Sequence, residues 1–217
     1  ACRSPQDGEE DATALANPGR DSTALTIVQI DTATLADPLI RAATYRVAAR
    51  HLWTGESHTL TYARLQRLAE IWRPETLVVD ATGVGAGLSS FLEKAHPGRV
   101  VPFIFTAASK SKLGWDFLSL CDSGRFQDHA GEDELKAEFW RQVSFLCFEA
   151  GSGPDKKLRW GVPDGMRDPA DGQRVHDDLV ISAALCAVLD ARCGGSYAPG
   201  LLVQGKDPLK NIDEGGF

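Results

Sequence analysis

Asp80 stands at a place in the sequence where a carboxylate can bind a ligand. It ends the apolar stretch Leu77-Val78-Val79 and is followed by the glycine-rich turn TGVGAG (82–87). Open α/β sheets bind ligands at the carboxyl ends of their strands, and Gly83 and Gly85 allow a sharp turn there. This pattern therefore indicates a binding site. The same residues are also typical of a tight turn in which Asp80 only caps the backbone.

Asp177 and Asp178 form a second candidate site, because they directly precede the apolar, uncharged stretch Leu179–Leu189. An aspartate at a helix start can cap the helix and match its dipole, which is the purely structural interpretation. Two adjacent carboxylates are nevertheless costly to bury unless a cation compensates them. Mg²⁺ favours one or two carboxylates together with water and phosphate oxygens. His176, just before them, can be a cap, a phosphate contact or a packing residue.

A third segment, Phe105–Gly114, has small, hydroxyl and basic residues between a predicted strand and a predicted helix. Backbone N–H groups at a helix start, together with Lys110 and Lys112, can contact a phosphate. An ordinary solvated helix start explains the segment equally well. Arg125 and the basic residues at 156–159 can extend a basic rim around such a site.

Composition limits the kind of protein. The net charge is −7, from 30 acidic and 23 basic residues, which argues against binding nucleic acid by bulk charge but not against a nuclease with local carboxylates. No apolar run is long enough to span a membrane, and five scattered cysteines without a CxxC pair indicate reduced thiols in the cytosol. The sequence contains no GxxxxGK[ST], GxSxG or HExxH motif, so we expect no ATP hydrolysis.

Hydrophobic periodicity predicts an α/β protein. The predicted strands are 23–30, 43–53, 76–80, 99–105 and 157–162. The predicted helices are 59–73, 86–96, 109–123, 132–149 and a buried one at 176–192. Strand pairs come first and strands then alternate with helices, which predicts a mixed β-sheet with helices on both faces. We expect residues 1–22 to be poorly ordered or truncated, 23–193 to form the domain, and 194–217 to form an extended tail with little contact to it.

Five segments of the chain, in the order in which they occur, resemble segments of a known family, the nuclease domain of phage terminase large subunits. These segments are GRDSTALTIVQID (19–31), LVVDATGVGAGL (77–88), FIFTAASKSKLGWDFL (103–118), LRWGVPD (158–164) and VHDDLVISAAL (175–185). The resemblance implies an RNase H-like fold and a metal-dependent endonuclease that cuts concatemeric double-stranded DNA. By the same resemblance the chain is the C-terminal portion alone, without the ATPase domain that precedes the nuclease in this family.

The resemblance also implies the site. Asp80 matches one catalytic metal ligand, and Asp177 and Asp178 match the pair at the late helix, so these three would hold two Mg²⁺ or Mn²⁺ ions. Lys110, Lys112 and His176 would contact DNA. The family places another catalytic aspartate on the first strand, upstream of GRDSTAL; the nearest candidate is Asp7, and Asp11 and Asp21 are poorer ones.

The implied partners are DNA, the terminase ATPase domain, the small terminase subunit and the portal protein. The implied location is the cytoplasm of a bacterial host, without a membrane.

Two other functions stay open. One is a degenerate remnant that binds DNA or packaging partners without cutting. The other is an S-adenosylmethionine-dependent methyltransferase that uses the glycine turn, which would leave Asp177 and Asp178 without a role.

Overall fold

The computed structural model describes residues 22–129, 131, 133–152 and 156–193. The predicted tail (194–217) and all of the predicted N-terminal segment except Ser22 lie outside these residues. The strands are β1 (Ser22–Asp31), β2 (Thr44–Thr54), β3 (Leu77–Asp80), β4 (Val100–Phe103), β5 (Phe126–Gln127), β6 (Cys147–Ala150) and β7 (Leu158–Gly161). The α-helices are α1 (His58–Trp72), α2 (Gly85–Ala95), α3 (Ala107–Asp122), α4 (Glu134–Ser144) and α5 (Asp178–Ala184). Short 3₁₀ helices follow β1 (Ala33–Ala36) and α5 (Leu185–Leu189).

The strands pair in both directions, as predicted for a mixed sheet. β1 and β2 run antiparallel over their whole length, with a register irregularity at Ile27/Val28. The short β5 extends this pair by lying parallel to β2, and β3 lies parallel to β4. β6 and β7 form a separate antiparallel hairpin. Within the described residues, these are three groups of strands that no ladder connects.

The prediction of one helix over 132–149 was wrong at its C-terminal end. The helix stops at Ser144, and Cys147–Ala150 forms a strand. The apolar spacing that suggested a longer helix is local, whereas the strand exists because its backbone pairs with Leu158–Gly161. The predicted helix over 176–192 is also shorter, because α5 tightens into a 3₁₀ helix after Ala184.

The C-terminal helix is buried, as its uniformly apolar sequence predicts. Leu179, Val180, Ala183 and Ala184 are each at most 1% exposed. They belong to the main hydrophobic cluster together with Tyr45 of β2 and residues of α3, α4 and β7. No helix in the described ranges is long and apolar enough to cross a membrane.

A buried ion pair fastens the end of this helical segment to the sheet. Arg125 donates from Nη1 and Nη2 to the two carboxylate oxygens of Asp190, at 2.7 and 3.0 Å. The Tyr45 hydroxyl donates to the same carboxylate at 3.0 Å, and Arg125 also donates to the Ala43 carbonyl. Arg125 is only 6% exposed, so its predicted place in a basic rim was wrong. The burial and the Asp190 charge raise the pKa of Tyr45 far above its ordinary value.

Trp160 of β7 packs directly on α3. Its indole N–H donates to the Lys110 carbonyl at 2.7 Å, and its ring lies against Gly114. A Cβ added at Gly114 would lie 2.5 Å from the indole Cδ1 and 2.8 Å from Leu158 Cδ2. Glycine at this point of α3 therefore allows β7 to approach the helix that carries Lys110.

Replacing Asp190 with Asn tests the buried ion pair. We expect Asp190→Asn to lower the free energy of unfolding by about 3–5 kcal/mol, because it leaves the Arg125 charge buried without its partner. Urea denaturation measures the change. The matched control is Asp116→Asn, which removes an exposed ion pair with Lys112 and should cost about 1 kcal/mol or less. Equal effects of the two substitutions would contradict the importance of the buried pair.

A pair of helical glycines tests the contact between β7 and α3. Gly114→Ala should destabilise the protein by about 1–3 kcal/mol, because the added methyl group forces Trp160 to move. Gly87 lies in α2 with no atom within 4 Å of an added Cβ. Gly87→Ala should therefore stabilise the protein by up to about 1 kcal/mol, since alanine is the better helix former. Thermal unfolding of both variants measures the difference, and the same sign for both would refute this packing argument.

Candidate functional site

Asp80 lies at the carboxyl end of β3, where the sequence predicted it. Its side chain is exposed, and its Oδ1 accepts a hydrogen bond from the Thr82 N–H at 2.8 Å. Thr82 in turn accepts from the Phe105 N–H through its hydroxyl at 2.8 Å, which joins the turn after β3 to the end of β4. The Asp80 side chain therefore caps the turn, as the structural interpretation predicts. This hydrogen bond uses one carboxylate oxygen, and the side chain stays exposed to solvent.

The glycines of the turn fulfil two different requirements. Gly83 has φ +55°, in the left-handed region that other residues rarely adopt. Gly85 begins α2, and a Cβ added there would overlap the Asp80 carbonyl oxygen. The first turn of α2 can thus approach the end of β3 closely, which keeps Asp80 beside the helix.

The start of α5 is capped by a side chain from another helix and not by Asp177. Asp177 is the N-cap residue but makes no capping hydrogen bond with its side chain. The Leu179 N–H is instead satisfied by the Oε1 of Gln142, a residue of α4 that is 2% exposed, at 3.0 Å. The Asp177 Oδ2 accepts from the Val162 N–H at 3.2 Å. The carboxylate of Asp177 is thus directed toward the segment that follows β7 rather than onto its own helix.

Gly161 makes room for a carboxylate and an ammonium group side by side. Its φ is +142°, and a Cβ at this position would lie 2.6 Å from Asp177 Oδ2 and 3.4 Å from Lys110 Nζ. Lys110 also lies with its Nζ 5.7 Å from the centre of the Trp160 ring. The absence of a side chain at Gly161 therefore allows Asp177 and Lys110 to approach the same space.

One cavity of about 1600 Å³ joins these groups. Its walls include Asp80, Asp177, Asp178 and Lys110. The structure thus brings together residues from β3, α5 and α3 that are remote in the sequence. Carboxylate oxygens are the ligands that Mg²⁺ prefers, so the donor type in this cavity fits a divalent cation. Within the described residues, however, no three His, Cys, Asp or Glu side chains are grouped closely enough to hold a metal ion.

Two of the predicted site residues lie outside the cavity wall. Lys112 is exposed on α3 and forms an ion pair with Asp116, one helical turn further on. His176 is exposed and does not line the cavity. The earlier candidates for a first-strand ligand, Asp7, Asp11 and Asp21, lie outside the described residues.

Sequence reasoning missed Gln142 and Gly161, which position the start of α5 and the Asp177 carboxylate. Gln142 gave no signal, since it lies within a helix among ordinary polar residues. Gly161 follows Trp160 at the end of a short strand, and its importance depends on a carboxylate that is distant in the chain. The cavity also contains Cys186, whose pKa is raised well above its ordinary value by burial. Its thiol is therefore protonated at neutral pH and is not an activated nucleophile.

Comparison with known proteins gives consistent findings. The family model of the terminase RNaseH-like domain matches residues 17–183. The fold is similar to crystal structures of the large terminase nuclease from thermophilic phage G20c, with bound magnesium (16% identity, TM-score 0.50) and with bound cobalt (17%, 0.50). Each match covers 76% of this chain and 81% of the other chain.

A shorter match concerns a curated protein. A 63-residue stretch is 29% identical to the terminase ATPase subunit of Escherichia phage P2 and covers 29% of this chain but only 11% of that protein. The structural similarity confirms the predicted RNase H-like α/β fold. Because the family model covers most of the sequence, the chain belongs to the terminase RNaseH-like domain family.

Proposed function

We propose that this domain is a metal-dependent endonuclease that cuts concatemeric double-stranded DNA during viral DNA packaging. The observation that carries the proposal is the shared cavity, whose wall includes Asp80, Asp177, Asp178 and Lys110. Three carboxylates and one ammonium group in one cavity suit a substrate whose phosphates are bridged to carboxylates by cations. The G20c relatives were crystallised with magnesium and with cobalt, which supports the use of divalent cations here.

Asp80, Asp177 and Asp178 would hold two divalent cations, Mg²⁺ or Mn²⁺. When bound, such cations lower the pKa of an attacking water and stabilise the leaving 3′ oxygen. Neighbouring residues of the protein orient these carboxylates. The Thr82 N–H orients the Asp80 carboxylate, and the Val162 N–H orients that of Asp177. Each of these hydrogen bonds uses one oxygen of its carboxylate.

Lys110 would bind a phosphate of the DNA backbone inside the cavity. Trp160 holds the Lys110 main chain through the indole hydrogen bond to the Lys110 carbonyl, and the Lys110 Nζ lies 5.7 Å from the centre of the Trp160 ring. Lys112 and His176 lie outside the cavity, so we expect them to contact phosphates farther from the cleaved bond. Since such contacts position the DNA without reading its bases, sequence preference should be weak. With a net charge of −7, affinity must come from these local contacts and from bound cations.

A non-catalytic DNA-binding remnant is the second candidate function. It is favoured by the lack of a group of three metal-ligating side chains among the described residues. A methyltransferase has no comparable support, because it assigns no role to Asp177 and Asp178 and the matching family model is that of a terminase RNaseH-like domain. The partners we propose are double-stranded DNA, the terminase ATPase domain, the small terminase subunit and the portal protein, in the cytoplasm of a bacterial host.

Charge-removing substitutions test the proposed site. Asp80→Asn and Asp178→Asn should each lower Mn²⁺-dependent nicking of plasmid DNA by at least about 100-fold, the upper range seen when metal sites lose supporting groups. Both variants should also lose the rise in melting temperature that Mn²⁺ causes. The apo domain should stay folded or become slightly more stable, because like charges close together repel.

Asp116→Asn is the matched control for these variants, since it changes an aspartate on α3 outside the cavity. It should keep both nicking and the Mn²⁺-induced stabilisation. Nicking that survives at Asp80→Asn and Asp178→Asn would refute the site. A wild-type chain that binds plasmid DNA but does not nick it with Mn²⁺ would instead favour the non-catalytic remnant.

Gly161 allows a test that changes no charge. Gly161→Ala places a methyl group 2.6 Å from Asp177 Oδ2, so the carboxylate must move. We expect a loss of most of the Mn²⁺-induced rise in melting temperature, measured by scanning calorimetry. Gly165→Ala is the control, because Gly165 also has a positive φ of +76° but no atom within 4 Å of an added Cβ. If both variants respond alike to Mn²⁺, backbone strain rather than the Asp177 contact explains the loss.

A further inference from the structure

The ammonium group of Lys110 lies close to the Asp177 carboxylate. One point, the position that a Cβ would take at Gly161, lies 2.6 Å from Asp177 Oδ2 and 3.4 Å from Lys110 Nζ. The carboxylate oxygen and the ammonium nitrogen are therefore near neighbours across this glycine. Opposite charges this close attract each other, and the attraction is stronger in a partly enclosed cavity than in bulk water.

Trp160 keeps Lys110 in this position. The centre of its ring is 5.7 Å from the Lys110 Nζ, which is within the range of a cation–π interaction. The indole N–H donates to the Lys110 carbonyl at 2.7 Å, and the Leu158 N–H donates to the Ser111 hydroxyl at 2.8 Å. These hydrogen bonds fix β7 against the main chain of α3, so the base of the lysine side chain stays beside Asp177.

Lys110 is the cationic residue at the carboxylate end of the cavity. Among the described residues, the cavity wall contains one other lysine or arginine, Arg192. Arg192 follows the far end of the helical segment that begins at Asp178. Carboxylates held close together repel one another, and a neighbouring positive charge relieves this repulsion. A divalent cation relieves it in the same way, so Lys110 and a bound cation have the same electrostatic effect on Asp177.

We propose that Lys110 is a built-in counter-ion of Asp177 and competes with a divalent cation for this carboxylate. The proposal rests on the proposed function, because it needs the same cation site, and it adds a restraint on that site. While no cation is bound, the ammonium group offsets the charge of Asp177. A cation at Asp177 and the ammonium group repel each other, so Lys110 lowers the affinity of the site for the cation.

A DNA phosphate would remove this restraint. It offers the ammonium group a second anionic partner, which draws the Lys110 charge away from Asp177. The carboxylate is then available to the cation without competition. DNA and the divalent cation should therefore bind cooperatively, and by linkage each raises the affinity for the other. The cation site would thus be fully competent only with a DNA backbone in the cavity.

Mn²⁺ titrations of the melting temperature test the proposal on the full chain without DNA. The measured quantity is the Mn²⁺ concentration needed for a given rise in melting temperature. Lys110→Met removes the charge and keeps a long side chain. We expect this variant to need about 10-fold less Mn²⁺ than the wild type, since a neighbouring charge shifts a carboxylate equilibrium by about one unit or more. Its plasmid nicking should nevertheless fall, because the phosphate contact is lost.

Two variants serve as controls. Lys94→Met removes a lysine of α2 whose Nζ also lies over an aromatic ring, 5.9 Å from the centre of Phe91, but which does not line the cavity. It should need as much Mn²⁺ as the wild type, which separates the local effect from that of net charge. Lys110→Arg keeps the positive charge and should also stay close to the wild type.

The outcomes separate this inference from the proposed function. If Mn²⁺ stabilises the wild type and Lys110→Met needs as much Mn²⁺ or more, the competition is wrong while the proposed cation site stands. An equal gain in Lys94→Met or in Lys110→Arg would also overturn the inference, because loss of the Lys110 charge would then not be the cause. If Mn²⁺ stabilises neither the wild type nor Lys110→Met, the proposed cation site is itself wrong and the inference fails with it.

Discussion

The placement of the C-terminal helical segment depends on a single buried ion pair. Arg125 and Asp190 form a bidentate ion pair with both side chains at most 8% exposed, and the Tyr45 hydroxyl donates to the same carboxylate. A buried pair of this kind contributes little net stability compared with apolar packing, but breaking it is costly. The main effect of this ion pair is therefore to fix the position of the C-terminal helical segment. It holds the end of the segment against β2 and β5, while the start of the same segment carries Asp177 and Asp178.

The opposite end of that segment is held without using its carboxylates. Gln142 satisfies the Leu179 N–H from a neighbouring helix, and Asp177 accepts from Val162 in the segment after β7. Because Gln142 of α4 provides the side-chain cap, Asp177 does not serve as one. Glycine at 161 then leaves the space that Asp177 and Lys110 approach. The Asp177 carboxylate is thus directed toward this space and away from its own helix.

The cavity that contains the candidate site also borders β1 and β3. Its charged part contains Asp80, Asp177 and Lys110, and its remaining wall consists mainly of half-buried strand residues and apolar helical side chains.

The order and type of most elements could be predicted from local patterns, because apolar spacing, glycines and prolines act locally. β1, β2, β3 and α1 to α3 lie within a few residues of their predicted bounds, and the run Leu77-Val78-Val79-Asp80 predicted that Asp80 ends a strand. The packing of distant elements, in contrast, makes Cys147–Ala150 a strand, buries Arg125 and pairs Lys112 away from the cavity that Lys110 lines. It also decided that Gln142 rather than an aspartate caps α5. Each of these outcomes depends on a partner distant in the chain, and a local pattern of residues contains no information about which distant group will lie beside it.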